Sequence, residues 1–221
     1  MSIKLGQAGV VYPDGVAQST KYDTSLDRGK VIRVDFWTSN ATWNKPAGCR
    51  KIFVQVIGGG GGGCGHCEAG GAGGYAEKLI DVTGIDSVSV TVGGGGDGRN
   101  YHQGCGGGGT TSFGSYLSAS GGNGANTWGS HTGGHGGVGS GGDVNLHGGG
   151  GRSHGDQGQS KGGEGYFGGA SASGHHGGNF YSHYAEGLNH CPPGTGGSGE
   201  WTSHSRGAYG VQGCCIVYNY S

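Results

Sequence analysis

Charged residues make up only 12% of the 221-residue chain, and they nearly cancel, leaving a net charge of −1. So little charge excludes a chain held open by self-repulsion. Because there is no basic run and no Arg-Gly-Gly box, nucleic-acid binding is not expected either. Hydrophobic residues are also sparse at 31%, and no apolar run is long enough to span a membrane. Four prolines are too few for collagen, and no Gly-X-Y register persists. The first residues lack the basic-then-apolar layout of a secretory signal.

What the chain has in abundance is glycine, 61 residues of it, gathered in runs such as Gly58–Gly63, Gly93–Gly96, Gly106–Gly109 and Gly148–Gly151. A glycine run has no side chain to bury and loses the most backbone entropy on ordering, so it orders only where the main chains of neighbouring segments satisfy one another. An extended helix of the polyproline II type, three residues per turn, can do this laterally when no Cβ intervenes. The segments between the runs differ from one another, as position-specific loops would, rather than forming a simple repeat.

Alternating apolar residues predict five strands. In Val31–Phe36, residues Ile32, Val34 and Phe36 share one face, and in Ile52–Ile57 the corresponding set is Ile52, Val54 and Val56. The turn-like Asn44-Lys45-Pro46-Ala47-Gly48 between them suggests a hairpin. Alternation returns over 75–82, at Val88, Val90 and Val92, and in Cys214–Tyr220, where Cys214, Ile216, Tyr218 and Tyr220 share a side. The expected fold is mainly β and irregular. It has a small antiparallel β base (31–57, 75–92, 214–220) and a bundle of extended glycine helices with loops (58–74, 93–213), all within a domain spanning 30–221. Residues 1–29, polar and turn-rich, are expected to be an N-terminal attachment segment.

Antiparallel tracts put Cys64–Glu68, Arg99–Gln103 and Ala125–Thr132 at the end far from the sheet and Thr110–Ser118 beside it. Counted onward, the tracts come to an odd number where an even one is needed to reach the last strand. One tract is therefore misread, and the loops after residue 133 are not assigned to an end.

Motifs that would carry chemistry lack their structural context. Cys64-Gly65-His66-Cys67 matches a disulfide-isomerase site, but that chemistry needs the first thiolate at a helix N-terminus, and polyglycine precedes it here. Zinc held by Cys64 and Cys67 with Cys105 or Cys191 would lack a second C-x-x-C. Seven cysteines leave at least one without an intrachain partner. Buried free thiols are the expected state in a reducing cytoplasm, with disulfides forming only after release. Gly151-Arg152-Ser153-His154-Gly155 and Gly158-Gln159-Ser160-Lys161-Gly162 fit G-x-S-x-G without the strand and helix a nucleophile elbow requires. His131 and His135 lie four apart and share no face of a three-residue helix. No enzyme activity, cofactor or metal site is expected.

Val10-Val11-Tyr12-Pro13-Asp14-Gly15-Val16-Ala17-Gln18-Ser19-Thr20 resembles a short element found in bacteriophage tail fibres. Four further segments are similar to the glycine-rich terminal domain of tail-fibre proteins. These are Trp43–Cys49, Val54–Ile57 with the following glycine run, Gly73–Lys78 and Val88–Gly96. The resemblance covers roughly the first hundred residues and the last strand. It implies a virion receptor-binding tip, a homotrimer, with variable loops on a polyglycine II scaffold. Other tail or fibre proteins would be bound through the N-terminal segment, and the protein would be released by host lysis. The chain has no extended shaft.

The loops argue for binding independently of that resemblance. They are rich in Tyr, Trp, Ser, Asn and Gly, residues that provide contact area and adaptable hydrogen bonds at low entropic cost. Aromatic faces also stack on sugars, so a bacterial surface glycan and an outer-membrane protein loop are both suitable receptors. The residues expected to make contact are Tyr101, His102, Trp128 and His131, with Phe180, Tyr181, His183 and Tyr184 from the long loop. A glycine-rich ice-binding protein or an extracellular matrix structural protein is the alternative. Against ice binding stand the bulky His, Tyr and Trp islands.

Overall fold

A computed structural model describes residues 4–6, 9–11, 29–65, 68–100, 104–126, 132–153, 160–169, 191–199 and 206–221. The described residues are mainly β, with two five-stranded antiparallel sheets and no helix. In chain order the strands are β1 (Lys4–Gly6), β2 (Gly9–Val11), β3 (Val31–Trp37), β4 (Ala41–Asn44), β5 (Lys51–Ile57) and β6 (Tyr75–Asp81). They continue with β7 (Ser87–Thr91), β8 (Thr111–Phe113), β9 (Leu117–Ala119), β10 (Gly139–Ser140), β11 (Val144–Leu146) and β12 (Cys214–Tyr220). Strands β1 and β2 form a separate hairpin within the N-terminal segment.

One sheet runs β11-β6-β5-β12-β3 and the other β10-β9-β8-β7-β4. Alternation in β5 sends Ile52, Val54 and Val56 inward, where they join Ala76, Ile80, Cys215 and Val217. These pack against Trp43, Val88, Val90, Phe113, Leu117 and Ala119 of the opposite sheet. Trp43 and Phe113 meet edge-on with ring centroids 6.0 Å apart. The indole N–H of Trp43 donates to Asn219 Oδ1 at 2.8 Å, and Asn219 Nδ2 donates to the Arg33 carbonyl at 3.0 Å and to Asp35 Oδ2 at 2.9 Å. A fully buried amide thus ties the two sheets together with its polar atoms engaged.

Three sequence expectations are corrected here. β3 and β5 are not a hairpin: β12 inserts between them, and the segment after β3 crosses to the other sheet as β4. The faces of the two end strands are reversed. Cys215, Val217 and Asn219 point inward from β12, while Ile32, Val34 and Phe36 of β3 remain 41%, 52% and 56% exposed. Periodicity finds the apolar face of a strand but does not say that the face is covered. Finally, four short strands within 93–213 (β8 to β11) belong to the sandwich rather than to the glycine region.

Between the strands run ten glycine-rich tracts, 58–64, 68–74, 93–99, 104–110, 120–126, 132–138, 147–152, 160–165, 194–199 and 206–213. Main-chain hydrogen bonds join them laterally, and the partners rotate with a three-residue repeat. Gly58, Gly61 and Cys64 donate to 68–74; Gly59 and Gly62 to 104–110; Gly60 and Gly63 to 206–213. The same tract accepts from 93–99, 120–126 and 194–199, so it has six neighbours. Tract 68–74 likewise has six: Ala69 and Ala72 donate to 147–152, Gly70 and Gly73 to 194–199, and Gly71 and Gly74 to 120–126, while 58–64, 132–138 and 160–165 donate to it. The other eight encircle these two in chain order, each bonded to the next, and 206–213 closes the ring onto 93–99. Ten is even, which returns the chain to β12. The stretch 132–152 is two tracts, and the chain between them gives β10 to one sheet and β11 to the other.

The absence of side chains is a steric requirement at the interior tracts. A Cβ on Gly60 would land on the Thr195 carbonyl, and one on Gly61 on the Asn123 carbonyl. At Gly107, on the perimeter, the nearest atom to a Cβ is 3.6 Å away.

Candidate functional site

Each pair of tracts has its connecting ends remote from the sandwich, so the described flanks of five connectors, residues 65 and 68, 99 and 104, 126 and 132, 153 and 160, and 199 and 206, lie at that end. These flanks are tightly held. Cys64 bridges Arg99, the Gly65 N–H donates to the Arg99 carbonyl at 2.8 Å, and Asn126 and Thr132 exchange main-chain hydrogen bonds at 3.0 and 3.1 Å. A disulfide joins Cys64 to Cys105 across two tracts, closing 41 residues of chain. The expectation allowed disulfides only after release from a reducing cytoplasm; Cys49, Cys214 and Cys215 are buried thiols. The chain-entropy model gives such a bridge about 4 kcal/mol.

The same end carries charges of both signs, with Asp97 and Glu164 exposed among the cations. Arg99, Arg152, Lys161 and Arg206 are exposed there, and Arg206 donates from Nε to the Gly98 carbonyl at 3.1 Å and lies 5.4 Å over the Tyr209 ring. Arg99 approaches Asp97 at 4.0 Å, a solvent-exposed pair that contributes little. Arg152 and Lys161, with Glu164 and the backbone of Gly149, Gly150 and Gly162, line an open cleft of about 310 Å³.

Residues 166–169 and 191–194, which flank the long connector, lie at the sandwich end. Tyr166 stacks on Tyr75 at the start of β6, with ring centroids 3.5 Å apart, and a Cβ on Gly194 would meet the Ile57 side chain at the end of β5. The phenol of Tyr75 donates to Glu77 and accepts from Gln55 Nε2 at 2.6 Å. Burial, then the bonds to Glu77 and Tyr166, push its pKa well above the ordinary phenol range. This Tyr75–Tyr166 stack is the packing contact that places the flanks. Sequence reading missed it, because Tyr166 sits in a glycine island with no periodicity.

All eight residues expected to make contact lie outside the described residues. The described flanks of Tyr101 and His102, and those of Trp128 and His131, lie at the remote end. Those of Phe180, Tyr181, His183 and Tyr184 lie at the sandwich end. Among the described residues no three His, Cys, Asp or Glu side chains gather as a metal site, and no helix is long and apolar enough to cross a membrane.

The described residues form a β-sandwich carrying a laterally bonded, glycine-rich bundle. The chain belongs to the glycine-rich domain family, whose model matches residues 37–220. No curated protein matches the chain.

Proposed function

We propose that this protein is the receptor-binding tip of a bacteriophage tail fibre, and that its tracts are polyglycine II helices serving as a rigid mount for adhesive loops. The helix assignment is supported by the three-residue rotation of hydrogen-bond partners along 58–64 and 68–74, the repeat of a polyproline II helix. The observation that carries the adhesin reading is that the flanks of five connectors lie at one pole, each connector bearing His and three of them also Tyr or Trp, on a scaffold held chiefly by main-chain hydrogen bonds. Loop identity is thereby uncoupled from folding, which suits a binding surface that must vary. The receptor would be a bacterial surface glycan or an outer-membrane protein loop, bound through aromatic stacking and adaptable hydrogen bonds. The N-terminal segment would join the tip to the virion. Several tips on one particle, three in the arrangement implied by the tail-fibre resemblance, would hold a cell by avidity even where each site is weak.

Adsorption of purified protein to bacterial cells, in competition with a phage, tests the reading. Replacing Tyr101 and Trp128 together by alanine should abolish adsorption and leave the melting temperature unchanged. Full adsorption by that variant would move the binding surface elsewhere. Thermal hysteresis without adsorption would favour the ice-binding alternative.

A further inference from the structure

Strand β3 is the edge of its sheet, and among the described residues its second side pairs with no strand. It is seven residues long, and Val31, Ile32, Val34 and Phe36 are between 41% and 56% exposed. Proteins usually blunt such an edge with a short strand, a proline, a lysine or a cover, because its open N–H and C=O row templates another strand. Among the described residues β3 has no proline, lysine or cover; its inward-facing charges are Arg33 and Asp35, and the one register shift lies at its start, opposite Asn219 and Tyr220.

The order of its residues is self-complementary. Ile32-Arg33-Val34-Asp35-Phe36 reads apolar, cation, apolar, anion, apolar, and reversing the strand exchanges only the signs. Ile32, Val34 and Phe36 face outward, whereas Arg33 and Asp35 face the other side, joined to each other at 2.9 Å. Arg33 reaches the Asn44 carbonyl at 2.9 Å, and Asp35 accepts from Asn219, so both charges are held on the inner face of the strand.

We propose that β3 pairs antiparallel with β3 of a second copy of this chain, about a twofold axis through Val34. In that register Arg33 stands opposite Asp35 of the second copy, and Asp35 opposite its Arg33. Ile32 meets Phe36 on the outer face, twice over, and Val34 meets Val34. Directly opposed apolar and opposite-charge pairs stabilise an antiparallel ladder, and the contact is isologous, so it closes as a dimer. A parallel in-register pairing would set Arg33 against Arg33, and a one-residue slip would turn the apolar row to the wrong face. The two five-stranded sheets become one of ten strands. This inference does not depend on the adhesin reading, and it sets a dimer in place of the trimer that the tail-fibre resemblance implies.

Light scattering across a concentration series, on the full chain, tests the pairing. The wild type should be a dimer. Val34→Lys places two like charges face to face on the axis and should raise the dimer dissociation constant by at least about tenfold with an unchanged melting temperature. Under mild oxidation Val34→Cys should cross-link to itself. Ile32→Cys alone should not, but Ile32→Cys mixed with Phe36→Cys should. A wild-type monomer at every concentration, a trimer, or a dimer that Val34→Lys leaves intact would overturn the pairing. If Val34→Lys fails to fold, the cysteine series decides: cross-linking by Ile32→Cys alone, or none by Val34→Cys, refutes the register.

Discussion

In the sandwich, order comes from side chains: Ile52, Val54, Val56, Val217, Trp43 and Phe113 fill the space between two sheets, and the backbone pairs within each sheet. In the glycine bundle it comes from their absence: Gly60 and Gly61 bring six neighbours close enough to bond main chain to main chain. The first region gains by removing apolar area from water, the second by pairing main-chain donors and acceptors in a densely packed array. Core side chains tolerate conservative exchange, because volume and hydrophobicity are shared among many contacts. An interior glycine has no smaller substitute, so the bundle should fail abruptly where the sandwich fails by degrees.

The largest effect should come from Gly60→Ala. Its methyl group would collide with the Thr195 carbonyl, which is backbone and cannot swing away, so a loss of at least about 4 kcal/mol is expected, or no folded protein at all. A melting temperature close to wild type would show that the tracts can separate without cost. Next comes Phe113→Ala in the sandwich, where the lost burial and the cavity against Trp43 should cost about 3–5 kcal/mol, read by urea denaturation. If Phe113→Ala cost more than Gly60→Ala, the ranking of the two regions would be reversed.

Alkaline pH should weaken the seam where the regions join. Burial pushes the Cys214 thiol up to about 12 and Cys215 further, so both hold their protons more tightly folded than unfolded. Their contribution is complete below the ordinary thiol value near 9 and is lost as pH rises from there toward 12. The urea midpoint should therefore fall over that window, and Cys214→Ala should flatten the fall. The smallest effect belongs to Gly107→Ala, the same chemical change as at Gly60 but on the perimeter. With 3.6 Å of clearance it should be neutral or stabilising by about 0.4–1 kcal/mol through the unfolded chain. A marked loss would mean that the perimeter is as crowded as the interior.

Much of this was legible from residue order. β5, β6, β7 and β12 announce themselves by strict alternation over five to seven residues, and the glycine runs mark the tracts. β8 to β11 did not, because two or three residues such as Gly139-Ser140 carry no period, and Val144 and Leu146 face outward. The placing of the 165–194 connector was hidden for a related reason: it depends on Tyr166 meeting Tyr75, ninety-one residues earlier in the chain.

Residue order by itself determined that the glycine runs must pair main chain to main chain, since nothing else in them can interact, and that the alternating segments must form strands. Only the tertiary structure decided which glycines tolerate a side chain, that two tracts are interior and eight peripheral, and that β12 enters between β5 and β3, exposing Ile32, Val34 and Phe36. The physical reason is that composition and period are properties of a segment, whereas crowding is a property of its neighbours. Gly60 and Gly107 are chemically identical, and they differ only in what surrounds them.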